Sequence, residues 1–66
     1  MMLVNELYLA CDDWHTYTFV NVFDLDENNE RNFVGDGCLF KYGSHYVESF
    51  TVIPSSDTIE LRVTRR

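Results

Sequence analysis

The stretch that decides the fold lies near the C-terminus and reads Thr58-Ile59-Glu60-Leu61-Arg62-Val63-Thr64. Apolar and polar side chains alternate along it, which is the period of a strand with one face on a core and the other in water. Residues 47–53, VESFTVI, are rich in β-branched and aromatic types, and the intervening residues 54–57, PSSD, are turn formers. The pattern predicts a β-hairpin of strands at residues 47–53 and 58–64, which we expect to supply central strands of a sheet.

Upstream of this hairpin the sequence predicts further β-structure. Residues 16–23, TYTFVNVF, form a β-branched and aromatic run too short for a helix, which indicates a strand. Residues 24–31 are polar and rich in Asp, Asn and Glu, as in a turn, and residues 32–34 resume the sheet before Gly35-Asp36-Gly37 interrupts it. Residues 38–46 fit either a short strand or a single helical turn, and the sequence leaves that choice open.

The N-terminal segment has the spacing of an amphipathic helix. One apolar stripe with helical spacing is formed by Leu3, Val4, Leu7, Tyr8 and Cys11. The spacing predicts a helix over residues 2–13, with two aspartates at its C-terminal end, where the helix dipole disfavours negative charge. We therefore predict an α+β fold in which an N-terminal helix packs on a three- to four-stranded antiparallel sheet.

Length and composition indicate one small folded domain spanning residues 1–66. A chain of 66 residues cannot divide into two cores, and 45% hydrophobic residues with ten aromatics are too many for a disordered segment. No apolar run approaches the roughly 20 residues that a membrane-spanning helix needs. Residues 1–13 lack a basic region and contain three carboxylates, unlike a secretory signal, and two cysteines are few for a disulfide scaffold. These features lead us to expect a cytoplasmic protein.

Charge is distributed unevenly along the chain. Residues 1–30 hold seven carboxylates and no Lys or Arg, whereas residues 31–66 hold four carboxylates against five Lys and Arg. Direct nucleic-acid binding requires a basic surface, so this class of partner is disfavoured. An acidic half instead fits a basic protein partner, including a protein surface that normally holds nucleic acid. The alternative is that the acidic residues only keep a small protein soluble.

Two patterns resemble metal sites in part. Asp24-Leu25-Asp26-Glu27-Asn28-Asn29 begins like a calcium loop, but its sixth position is Asn29 instead of Gly and its twelfth is Gly35 instead of Glu. A solvated turn explains it better. The two cysteines, Cys11 and Cys38, and the two histidines, His15 and His45, match no standard zinc spacing. We predict no metal, no cofactor and no disulfide.

Candidate catalytic groups are sparse. Cys38 or Ser44 with one of the two histidines is the one conceivable nucleophile–base set, and no Gly-x-Ser-x-Gly turn or third orienting residue accompanies it. Asp12 and Asp13 are adjacent on a predicted helix and point apart, so they do not form an acid–base pair. We predict that the chain is not an enzyme.

The hairpin sequences VESFTV at residues 47–52 and TIELRV at residues 58–63 resemble the ending of short uncharacterised proteins carried by phages and prophages of Firmicutes. Those proteins also open with a short leucine-bearing helix, as in Val4-Asn5-Glu6-Leu7, followed by a strand that ends in an acidic turn, as in Val22-Phe23-Asp24. Here residues 37–46 depart from the acidic helical insert of that family. The resemblance implies a context in a bacterial host cell, in which small phage proteins act as inhibitors, including anti-CRISPR and other anti-defence proteins.

Together these observations give two functional hypotheses. The first is a phage-encoded inhibitor that binds a basic host protein by imitating nucleic-acid phosphates, with Trp14 as an apolar anchor beside the carboxylates Glu6, Asp12, Asp13, Asp24, Asp26, Glu27 and Glu30. The second is an oligomeric structural or ligand-sequestering module, joined through edge strands and exposed aromatics such as Tyr17, Tyr42 and Tyr46. For the C-terminal arginines Arg62, Arg65 and Arg66, a solvated tail is favoured over pairing with the acidic half of a second copy.

Overall fold

A computed structural model describes residues 1–66 and confirms the α+β class. It contains helices α1 (Val4–Ala10), α2 (Asp12–Thr16) and α3 (Leu39–Tyr42), and a short 3₁₀ turn at Pro54–Ser56. Its four strands are β1 (Phe19–Asp24), β2 (Asn29–Val34), β3 (Tyr46–Ile53) and β4 (Thr58–Thr64). Both strands of the C-terminal hairpin were predicted to within one residue at each end. None of the helices has the length and apolarity needed to span a membrane.

The sheet is mixed, which corrects the prediction of a wholly antiparallel sheet. Its strand order is β2-β1-β4-β3, so two antiparallel hairpins lie side by side. They meet through β1 and β4, which run parallel. Short turns fix the antiparallel pairing inside each hairpin, but the connection through α3 sets how the hairpins meet. The C-terminal hairpin therefore supplies one central strand, β4, and one edge strand, β3.

One face of the sheet is buried because its inward side chains are apolar. Val20 and Val22 of β1 and Ile59, Leu61 and Val63 of β4 are fully buried. Helices α1, α2 and α3 and their flanks complete the core with side chains on this same side, namely Val4, Trp14, Cys38 and Tyr42. The core therefore lies between the helices and one face of the sheet.

The predicted helix over residues 2–13 is two helices. The chain is extended at Cys11, with φ −109° and ψ 107°, so α1 ends there and α2 begins at Asp12. Both aspartates then lie in the first turn of α2, where the helix dipole favours carboxylates, instead of at a disfavoured C-terminus. Tyr8 of α1 packs edge-on against Trp14 of α2 with ring centroids 5.3 Å apart, which holds the two helices together.

Residues 38–46, which the sequence left open, form the short helix α3 and a tight connection to β3. Gly43 follows α3 and faces α1, because the Asn5 N–H donates to the Gly43 carbonyl over 2.9 Å and the Val4 N–H donates to the His45 carbonyl over 3.0 Å. A Cβ at Gly43 would lie 2.5 Å from the side-chain oxygen of Asn5 in α1 and 2.5 Å from the Leu39 carbonyl oxygen in α3. Glycine is therefore required for this close approach between α1 and α3.

The predicted turn over residues 24–31 is shorter in the structure. Only residues 25–28 form the turn, with Asn28 at a positive φ of 54°, and Asn29 already pairs with Asp24 in the antiparallel ladder. Polar residues continue into β2 because β2 is an edge strand whose side chains are mostly exposed.

Candidate functional site: the open face of the sheet

The face of the sheet away from the helices has no structure packed on it. We call this surface the open face. In β1 it carries Phe19, Asn21 and Phe23, which alternate with the buried residues of that strand. The strand register places the open-face residues of all four strands in rows across the sheet. Successive rows are about 7 Å apart, two residues along each strand.

The first row is mainly apolar. It runs across the sheet from β2 to β3 through Val34, Phe19, Thr58 and Ile53. The Phe19 side chain is 46% exposed and Val34 is 65% exposed, and the two are direct cross-strand partners. Two adjacent apolar side chains left in water provide surface that gains free energy when a partner covers it.

The next two rows are polar and acidic. The second row contains Asn32, Asn21, Glu60 and Thr51, and the third contains Glu30, Phe23, Arg62 and Ser49. Between these rows lies a shallow depression of about 180 Å³, lined by Asn21, Phe23, Glu30, Glu60 and Arg62. Pockets for small ligands are typically about 300–1,000 Å³. The depression therefore suits one protruding side chain of a partner better than an enclosed substrate.

The charges of the depression are available to a partner. The one salt bridge of the molecule joins Arg65 and Glu27, so Arg62 is not paired with either carboxylate beside it. Glu48 lies near this surface as well, and accepts a hydrogen bond from the Thr64 hydroxyl over 3.3 Å. Three carboxylates against one guanidinium make the open face net negative. Free carboxylates beside the ring of Phe23 can accept hydrogen bonds from the ammonium or guanidinium group of a partner.

The carboxylates of the β1–β2 turn are engaged within the molecule. Asp24 is 2% exposed, and its Oδ1 accepts the backbone N–H groups of Asp26 and Glu27 over 3.0 and 3.2 Å. The backbone N–H of Arg65 donates to Asp26, and the Arg65 guanidinium donates to Glu27 over 3.1 Å. The C-terminal segment is thus held against this turn instead of being a solvated tail. Asp24 has a structural role, Asp26 is bound to the backbone of the C-terminal segment, and the charge of Glu27 is partly neutralised by Arg65.

The remaining predicted carboxylates are divided among separate elements. Glu6 accepts the Leu3 backbone N–H over 2.7 Å and so caps α1. Asp12 and Asp13 are exposed on α2, which packs on the opposite side of the sheet from the open face. Glu30 alone among the seven lies on the open face. The acidic half of the sequence therefore does not form one continuous surface.

Two predicted aromatic anchors are core residues. Trp14 is 2% exposed, and its indole N–H donates to the Gly35 carbonyl over 3.1 Å. Tyr42 is fully buried in α3. The open-face residues Phe19, Phe23 and Glu60 were not predicted as a site, although the alternation of β1 and β4 contained the signal. Each of them lies next to a buried residue along its strand, so its side chain points to the other face of the sheet.

The cysteines and histidines do not assemble into a metal-binding cluster. Cys11 and Cys38 are both free thiols, and no three His, Cys, Asp or Glu side chains lie close enough together to hold a metal ion. The pKa of the Cys38 thiol is raised to about 11, chiefly by burial, with a backbone hydrogen bond lowering it and the nearby Asp36 contributing a smaller increase. Cys38 is therefore a protonated, unreactive thiol at neutral pH.

No protein-family model, curated protein or solved structure matches this chain. The geometry of the open face is accordingly the basis for assigning a function.

Proposed function

We propose that this chain is a small acidic protein-binding module whose open face binds a positively charged surface of another protein. The observation that carries the proposal is a complete sheet face without a covering helix, on which exposed apolar side chains adjoin unpaired carboxylates. Interfaces between proteins combine these two features, an apolar centre and charged groups around it.

The apolar and acidic parts have different roles in such binding. Phe19 and Val34 supply burial of apolar area, and Phe23 supplies a ring between Glu30 and Arg62 in the same row. Glu30 and Glu60 orient the partner and accelerate its approach, because the chain carries a net charge of −6 that attracts cations over long range.

The size of the open face determines the strength of binding to expect. Four strands about 4.8 Å apart and about six residues long, at about 3.3 Å each, cover roughly 400 Å². A standard stable interface buries about 800 Å² on each partner. One open face therefore corresponds to a transient complex, unless the partner also contacts the rim of the sheet.

The basic surface of a nucleic-acid-binding protein is the partner that the resemblance to phage inhibitors implies. Phosphate imitation by this chain would use the free carboxylates Glu30 and Glu60 of the open face. Asp12 and Asp13 lie on α2, on the other side of the sheet, and would take no part. Asp24, Asp26 and Glu27 would take no direct part, because their oxygens bind groups of the same chain.

The experiment is capture of partners from a bacterial lysate with three baits. These are the wild type, the open-face variant Glu30→Lys/Glu60→Lys, and the control variant Asp12→Lys/Asp13→Lys, which makes the same change in net charge on α2. We expect one basic protein to be retained by the wild type and the control and lost by the open-face variant. Its retention should weaken steeply with added salt, since the charges at the interface are exposed.

Two results would reject the proposal. A partner retained equally by all three baits would not use the carboxylates of the open face. A partner lost equally by both variants would respond to net charge alone, and the open face would have no special role. Circular dichroism of each variant checks that loss of binding is not loss of folding.

A further inference from the structure

The sheet has two edges, and they differ in chemistry. The edge formed by β2 carries Glu30, Arg31 and Asn32 in succession, and charged residues on an edge oppose pairing with another chain. The edge formed by β3 is protected only at its start. There the Val47 N–H donates to the Met2 carbonyl over 2.9 Å, and Leu3 bridges to Tyr46.

Beyond this start, β3 has an unpaired and uncharged edge. A bulge at Glu48 separates the covered part from residues 49–53, with the sequence SFTVI, and Pro54 ends the strand. No strand pairs with the outer side of these five residues. Their β-branched and aromatic side chains favour extended structure, and none of them carries a charge that would repel an added strand.

We infer that residues 49–53 pair antiparallel with the same residues of a second copy of this chain. If residues 49–53 of the two copies overlap fully, Thr51 of one copy lies opposite Thr51 of the other, on the two-fold axis. Phe50 then lies opposite Val52, and Ser49 opposite Ile53. Aromatic–β-branched and Thr–Thr pairs are among the stabilising cross-strand combinations.

The side chains on the helix side of β3 support this partner. Phe50 is only half-buried although it packs against the core, and Val52 is half-buried beside it. Pairing with a second copy brings two such side chains from each chain together. The register also sets Glu48 opposite Pro54, so the carboxylates nearest the axis do not oppose each other.

The pairing has a consequence for the open face. The two-fold axis of an antiparallel strand pair is perpendicular to the sheet, so both open faces lie on the same side of a continuous eight-stranded sheet. Their combined area is roughly 800 Å², which is the area that each partner buries in a standard interface. The pairing itself does not depend on the proposed function, because it uses the backbone edge of β3 instead of the carboxylates of the open face and needs no partner protein.

The first experiment is sedimentation equilibrium of the full chain without any partner. We expect the mass to rise with concentration from 7.8 kDa toward twice that value. Added salt should favour the dimer, because each copy carries a net charge of −6, whereas binding of a basic partner to the open face should weaken with salt. Thr51→Lys should weaken the dimer at least about tenfold by placing two cations on the axis, while Asn32→Lys on the β2 edge should leave it unchanged.

The second experiment tests the register. Residues directly opposite in an antiparallel pair have Cα atoms about 4.5–5.5 Å apart, which is within the range for a disulfide. In a Cys11→Ser background, Thr51→Cys should form a covalent dimer under mild oxidation, and Asn32→Cys should not. A wild type that stays monomeric up to the order of 1 mM would overturn the inference. So would equal cross-linking of the two cysteine variants.

Discussion

Replacing Asp24 should destabilise the fold while leaving the binding surface intact. Its buried Oδ1 accepts two backbone N–H groups of the β1–β2 turn, over 3.0 and 3.2 Å. A hydrogen bond to a charged group contributes about 1.5–3 kcal/mol, and water can reach the turn once the side chain is removed. We therefore expect Asp24→Ala to lower the free energy of unfolding by about 2–3 kcal/mol. At roughly 0.05–0.15 kcal/mol per residue, that loss is a large part of the total for a chain of this size.

The assay is urea denaturation followed by the fluorescence of Trp14, the single tryptophan, which is buried in the native state. Asp24→Asn, which keeps an acceptor oxygen without the charge, should lose about half as much stability. The exposed Asp36 makes no side-chain hydrogen bond, so Asp36→Ala should stay within about 0.5 kcal/mol of the wild type. A loss below about 0.5 kcal/mol for Asp24→Ala would refute the structural role and return this carboxylate to the candidates for partner binding.

Three further predictions concern the helix side of the sheet. Tyr42→Phe removes a buried hydroxyl that has no hydrogen-bond partner. Urea denaturation should therefore show a free energy of unfolding that is unchanged or higher by about 1 kcal/mol, and a loss above about 1 kcal/mol would contradict this. Gly43→Ala should lower the free energy of unfolding by about 1–3 kcal/mol, because the added Cβ would meet the Leu39 carbonyl. An unchanged midpoint of thermal unfolding would show instead that the connection between α3 and β3 can shift to make room. The Cys38 thiol has a folded-state pKa of about 11 against 9.0 in the unfolded chain, so its contribution to stability is complete below pH 9 and is lost as pH rises from 9 to 11. Urea titrations across that range should show a smaller dependence on pH for Cys38→Ala than for the wild type, and equal slopes would refute the assignment.

The strands of the C-terminal hairpin were predictable because their information is local. Alternation of Ile59, Leu61 and Val63 with polar residues identifies both the strand and its buried face, and Pro54 marks the turn before it. The parallel contact between β1 and β4 was not predictable in this way. It depends on how the connection through α3 crosses the sheet, and no short pattern in residues 35–45 specifies that path.

The candidate site was only partly predictable, for a related reason. Counting carboxylates along the sequence indicates an acidic half, but not which oxygens bind backbone groups of the same chain. Asp24 and Asp26 are close in sequence to the free Glu30, yet the turn places the first in the core and the second against Arg65. Trp14 was assigned to the surface because it follows a predicted helix end, whereas the break at Cys11 starts a new helix that buries it.

An NMR titration of the isotopically labelled chain with the basic protein that it captures tests most directly whether the open face is the binding surface. We predict that signals of open-face residues such as Phe19, Phe23 and Glu60 shift or broaden first, while those of the turn at residues 25–28 and of α2 change little. Changes confined to that turn and to α2, with the open face unaffected, would contradict this prediction and restore the acidic half of the sequence as the binding surface.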